Sequence, residues 1–144
     1  LFSGTRFQRR PGDEPTPDER RELLARARGM ISEPGQYLAW VESGGVRVAS
    51  LEREWTRVGR SLAADVRFDD PTVSRRHALI VRQADGVRVL DDRSLNGVFV
   101  NGERVEWRVL SDGDEIVVGR YRLHFLEAAA DMEPAGVRPL ESTG

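Results

Sequence analysis

Between Tyr37 and Leu126 the apolar positions come in short runs, many of them alternating with polar residues, and turn-forming residues interrupt them every few positions. Val46-Arg47-Val48-Ala49-Ser50-Leu51 shows the two-residue period of a half-buried strand. Similar runs predict strands at Tyr37–Val41, Trp55–Val58, Val66–Phe68, His77–Arg82, Val87–Leu90, Val98–Val100, Trp107–Leu110, Glu115–Val118 and Tyr121–Leu126. Ser43-Gly44-Gly45, Asp85-Gly86, Asn101-Gly102, Asp112-Gly113 and Gly119 punctuate them, and Asn101-Gly102 is the strongest hairpin signal in the chain. Many short strands with frequent turns predict an all-β, two-sheet sandwich, with a small barrel as the structural alternative. No repeat of fixed period is visible.

The period differs upstream. Thr16-Pro17-Asp18-Glu19 reads as a helix start: Thr16 caps, Pro17 fits the first helical position and Glu19 completes a capping box. Leu23, Leu24, Ala27, Met30 and Ile31 form an apolar stripe at helical spacing, and Glu22 stands one turn before Arg26. Asp18 and Glu19 suit the positive end of the helix dipole, and Arg26 and Arg28 the negative end. Gly29, followed by Pro34-Gly35, marks the stop. These patterns divide the chain into a flexible arm (1–16), an amphipathic helix and linker (17–35), a sandwich domain (36–127) and a disordered tail (128–144).

Composition removes whole classes of function. The 144 residues include no cysteine and two histidines, His77 and His124, which rules out disulfides, a thiol nucleophile, thiolate metal sites and an ordinary histidine metal cluster. A formal net charge of −2 gives no global basic field for nucleic acid. No apolar run reaches the roughly 20 residues that span a bilayer. The first ten residues are arginine-rich without the apolar stretch of a signal peptide, so the cytoplasm is the expected compartment; the absent initiator Met leaves an upstream signal open. All 22 basic residues are arginine, whose planar fork of donors suits a doubly charged oxyanion.

The loops carry the chemistry. Gly59-Arg60-Ser61 comes first, then Ser74-Arg75-Arg76-His77 after the rigidifying Pro71, then Asp91-Asp92-Arg93-Ser94-Leu95-Asn96-Gly97. Gly59 would permit an unusual bend that projects Arg60 over a loop surface. Arg75 and Arg76, being adjacent, should point in different directions, one toward a ligand and one along the surface. His77 reads as a loop-locking hydrogen-bonding residue. Asn96 has both an amide donor and an acceptor, so it can bracket a peptide backbone. Taken singly, each cluster reads as an ordinary surface turn. Together they supply an arginine, hydroxyls and amides with no nucleophile–base pair, an inventory suited to gripping an anion. The acids at Asp69, Asp70, Asp91 and Asp92 lack the alternation of a calcium loop.

The order of the clusters says more than any one of them. Gly-Arg, Ser-Arg-x-His, Asn-Gly, a second Asn-Gly and Asp-Gly-Asp within about 60 residues resembles the forkhead-associated (FHA) family, bacterial type, over Tyr37 to Leu126. The resemblance implies a β-sandwich of about eleven strands whose loops at one end bind phosphothreonine peptides. By motif position, Arg60 is similar to the family's phosphate-contacting arginine and Ser74 to its hydroxyl donor. Arg75 takes the position from which a polar side chain often reaches the phosphate. Asn96 is similar to the residue that holds the peptide backbone beside the phosphothreonine. Gly59 and His77 would be architectural, while Gly97 and Ser94 would shape the Asn96 loop. Leu95 departs from the pattern, since many members have threonine there.

The expected function is therefore a non-catalytic phosphothreonine-peptide reader, a signalling adaptor or regulator downstream of a Ser/Thr protein kinase. Its partner would be a phosphothreonine-containing protein or the kinase itself, with no cofactor, metal, nucleic acid or membrane insertion. The alternative is a phosphate-independent scaffold that binds through the 17–31 helix or a sheet face. Thr5 and Thr16 are candidate phosphorylation sites from which the arm could fold back onto Arg60 and Ser74 at high effective concentration; in Thr16 that role competes with the helix cap. The partner's identity, the flanking-residue specificity and the oligomeric state are left open.

Overall fold

The structure is a computed structural model and describes residues 15–129. The expected arm (1–16) and tail (128–144) fall mostly outside those residues, and Thr5 does so entirely.

One helix, α1 (Pro17–Gly29), precedes eleven strands. These are β1 (Gly35–Glu42), β2 (Gly45–Ser50), β3 (Trp55–Gly59), β4 (Val66–Arg67), β5 (Ala78–Gln83) and β6 (Gly86–Asp91), followed by β7 (Val98–Val100), β8 (Glu103–Val105), β9 (Trp107–Val109), β10 (Glu115–Val118) and β11 (Tyr121–Ala128). They form a six-stranded sheet in the order β2-β1-β11-β10-β7-β8 and a five-stranded sheet in the order β4-β3-β5-β6-β9. Every observed pairing is antiparallel except that of β3 with β4. The all-β sandwich expected from the sequence is the observed architecture.

Alternation fills the space between the sheets. Leu38, Val58, Ile80, Val89, Val98, Val100, Ile116, Val118, Leu123 and Phe125 all face one core. Phe68, fully buried, meets Trp40 edge-on at 5.6 Å and stacks on Tyr121 at 4.1 Å, which anchors the chain where it leaves β4 for the loop toward β5.

A second, smaller core lies on the outer face of the six-stranded sheet. Ala27 of α1 is fully buried against Ala39 and Leu126, with Leu24, Ile31, Tyr37, Val46 and Val48 around them. The helix begins as expected: the Thr16 side chain accepts from the Glu19 N–H at 3.0 Å, and Glu19 accepts from the Thr16 N–H at 2.9 Å. Arg26 meets Glu22 at 3.2 Å. It ends differently. Gly29 is its last residue and Met30 forms the cap in ordinary right-handed geometry, so no left-handed glycine is used there. Met30 is 56% exposed and does not share the stripe's burial.

Two hairpin turns match expectation, with positive φ at Ser43 (54°) and Gly44 (79°), and at Asn101 (51°) and Gly102 (87°). The Asn101-Gly102 turn returns into β8, a strand with no clear alternation that the hydrophobic pattern does not reveal. The following β9 then crosses to the other sheet and pairs with β6.

Candidate functional site

Three loops meet at one end of the sandwich: β3–β4 (60–65), β4–β5 (68–77) and β6–β7 (92–97). Backbone bonds join the first two, from Arg60 N–H to the Ser74 carbonyl (2.9 Å) and from Ser61 N–H to the Arg75 carbonyl (3.1 Å). Gly59 permits that approach, because a Cβ there would run into the Arg75 carbonyl oxygen. Gly59 is not among the residues with left-handed φ, so it supplies room rather than the unusual bend expected of it.

The third loop hangs on Ser74 and His77. Leu95 N–H donates to Ser74 Oγ at 2.9 Å, and Asn96 Nδ2 donates to the Thr72 carbonyl at 3.0 Å. His77 is fully buried; its Nδ1 accepts from Ser74 N–H at 3.0 Å, so its Nε2–H donates to the Gly97 carbonyl at 2.8 Å. Burial pushes the His77 pKa below its ordinary value, against the Gly97 carbonyl and Asp91, which raise it. A neutral imidazole thus ties one loop to the next. Ser94 Oγ accepts from Gly97 N–H, and Asp91 accepts from Ser94 N–H, closing the β6–β7 turn on itself. Gly97 has φ +92°, and a Cβ there would meet the Arg104 guanidinium at 2.7 Å.

The β4–β5 loop is held from behind by a second polar cluster. Asp70 accepts from both the side chain (2.6 Å) and the backbone N–H (2.8 Å) of Thr72, and Arg120 lies 3.4 Å away. Burial pushes the Asp70 carboxyl up, but these bonds and the arginine outweigh it and hold its pKa below the usual range.

Between the loops lies an open concavity of about 610 Å³ lined by Arg60, Ser61, Ser74, Arg75, Arg76, Asp92 and Arg93. Arg60 Nε donates to the Val73 carbonyl at 3.0 Å, which fixes the guanidinium plane and leaves the terminal nitrogens free of that bond. Because Ser74 Oγ already accepts from Leu95, its own O–H proton is available to a ligand. The Arg75 side chain is exposed and makes no hydrogen bond or ion pair among the described residues. Arg76 is forked onto Asp92 through two contacts of 3.1 Å.

Arg60, Ser74 and Arg75 are thus brought together, and Gly59, His77, Ser94 and Gly97 brace them. Asn96 lies outside the lining of the concavity, exposed on the adjoining loop. Arg75 and Arg76 both line the concavity, and they differ in partner: Asp92 holds the Arg76 guanidinium. Sequence reasoning missed Ser61, Asp92 and Arg93 as lining residues. Only their position beside the motif residues hints at this placement. Thr72 and Gly119 were missed as supports; Arg120 N–H donates to Thr72 Oγ1, and a Cβ on Gly119 would come within 2.6 Å of that oxygen.

Residues 56–119 match the family model of the FHA domain. The oxoglutarate dehydrogenase inhibitor of Corynebacterium jeikeium is 47% identical over 81 residues, covering 56% of this chain and 56% of that relative. The glycogen accumulation regulator GarA of Mycobacterium tuberculosis is 41% identical over 106 residues, covering 72% of this chain and 65% of GarA. The chain therefore spans between half and two thirds of the length of these relatives. A solved structure from work on phosphothreonine-dependent FHA domain interactions superposes with a TM-score of 0.59 at 30% identity, over 69% of this chain and 97% of that one. With its loops, its sheets and these likenesses in agreement, the chain belongs to the forkhead-associated (FHA) domain family.

Proposed function

We propose that this chain is a non-catalytic reader of phosphothreonine peptides that acts as a cytoplasmic adaptor or regulator downstream of a Ser/Thr protein kinase. The observation that carries the reading is the convergence on one open concavity of an oriented guanidinium (Arg60), a hydroxyl with its proton free (Ser74) and an unpaired arginine (Arg75). A phosphothreonine brings a charge of about −2 and three acceptor oxygens, which match those donors. Asn96, held through Nδ2 on Thr72, has an Oδ1 that makes no hydrogen bond among the described residues, and would accept from a peptide N–H beside the phosphothreonine. The relatives named as an inhibitor and a regulator support a regulatory rather than a catalytic role.

Calorimetry with one threonine peptide in phosphorylated and unphosphorylated forms tests this. The phosphorylated form alone should bind measurably. Arg60→Ala and Ser74→Ala should each weaken binding at least about tenfold while the circular dichroism spectrum is kept. Equal affinity for the two peptides would replace this reading with the phosphate-independent scaffold. In that case the apolar side of α1 is already occupied by the six-stranded sheet, so a partner would have to use another surface.

Thr5 and Thr16 remain proposed phosphorylation sites. Thr16 Oγ1 is engaged in the helix cap, so Thr5 is the better candidate. Mass spectrometry after treatment with the cognate kinase decides, and an unmodified chain ends the idea.

A further inference from the structure

We propose that Arg93 is a second anion contact, reading an additional negatively charged group, carboxylate or phosphoryl, on the same peptide that carries the phosphothreonine. The inference rests on the phosphothreonine reading and goes further, in that it names the class of peptide preferred.

Three observations carry it. First, four arginines, Arg60, Arg75, Arg76 and Arg93, line the concavity against a single acidic residue, Asp92. That carboxylate is already forked by Arg76, and the neighbouring Asp91 accepts from Ser94 N–H. One phosphothreonine dianion, gripped through Arg60 and Arg75, leaves Arg93 without a counter-charge.

Second, Arg93 is exposed and makes no hydrogen bond or ion pair among the described residues, so nothing within the fold uses its charge.

Third, Arg93 is held at φ +64°. The other described non-glycine residues with positive φ, Ser43 and Asn101, sit in two-residue hairpin turns that require it, and both are short and polar. Arg93 has neither justification. A long side chain disfavours this backbone region, and glycine would occupy it without strain. Backbone strain at an arginine that lines a concavity, with no internal partner for its side chain, points to a role for that side chain in binding.

The test uses the full chain, its Arg93→Gly and Arg93→Glu variants, and calorimetry with peptides of one parent sequence. These are an unphosphorylated form, a phosphothreonine form with neutral flanks, a set in which one glutamate is stepped through the flanking positions, and a form with a second phosphoryl group at the best of them. In the unsubstituted chain at least one added anion should tighten binding by about fivefold over neutral flanks. The phosphoryl arm against the glutamate arm shows which anion is preferred. Arg93→Gly should erase that ratio while unfolding at the same or a higher temperature, because the strain is relieved. Arg93→Glu should turn the gain into a loss, so that the added anion weakens binding relative to neutral flanks. The proposal is overturned if no added anion improves binding to the unsubstituted chain, if Arg93→Gly keeps the ratio, or if Arg93→Gly weakens every phosphorylated peptide equally. Those results leave the phosphothreonine reading intact. If the neutral-flank peptide binds no better with its phosphate than without it, both fall together.

Discussion

A Cβ on Gly59 would collide with the Arg75 carbonyl oxygen and lie 3.1 Å from that of Ser74. The same two carbonyls accept the N–H groups of Ser61 and Arg60. Gly59→Ala must therefore push apart the loops that place Arg60 and Ser74. We expect a loss of about 1–3 kcal/mol in urea unfolding, the usual cost of forced overpacking, together with weaker phosphopeptide binding. Unchanged stability would show that the loops can separate freely. Leu95 makes the complementary point. It stands where many family members have threonine, and its side chain is 83% exposed. Its structural contribution is its backbone N–H, donated to Ser74 Oγ, which any residue but proline can supply.

At the scale of elements, α1 shows local signals at work. The capping box, the acidic first turn and the basic last turn were all legible, because each depends on neighbours within four residues. Thr16→Ala should cost about 1 kcal/mol, whereas Thr16→Ser should be near neutral, as read by thermal unfolding. β8 shows the limit of such signals. Three residues, two of them charged and exposed, carry no period, and only pairing with β7 makes them a strand. The close Gly59 contact was equally invisible, since the colliding atoms belong to residues about 16 positions away in the chain.

The whole molecule carries a pH dependence written into its second core. His124 on β11 is fully buried, lies on the face toward α1, and neither ring nitrogen has a hydrogen-bond partner among the described residues. Burial, with Arg20 of α1 and Arg122 also opposing a further positive charge, lowers its pKa to about 4. The unfolded chain thus takes up this proton first as the pH falls. Stability from His124 is complete above its ordinary value near 6.5 and is lost on the way down to about 4. His77 is shifted in the same direction, so it adds to the same trend. We expect the chain to be roughly 2 kcal/mol less stable at pH 5 than at pH 7 on account of His124 alone. Urea unfolding of His124→Leu should show a clearly flatter profile over that interval. An unaltered profile would place the effect elsewhere. Asp70 acts in a separate window: its lowered pKa stabilises the fold above about 4 and gives way only in stronger acid.

The sequence by itself determined the class of fold, the helix with its caps, most strands and the order of the loop motifs. These follow from periodicity, turn chemistry and short-range hydrogen bonding, all of which act between near neighbours. Tertiary structure alone decided that Arg76 is spent on Asp92, that Gly59 is a matter of clearance, and that α1 seals a second core over a neutral histidine. It also decided that Arg93 joins Arg60 and Ser74 around one concavity. Each of these depends on loops far apart in the chain meeting at one end of two packed sheets, and local pattern contains no term for that distance.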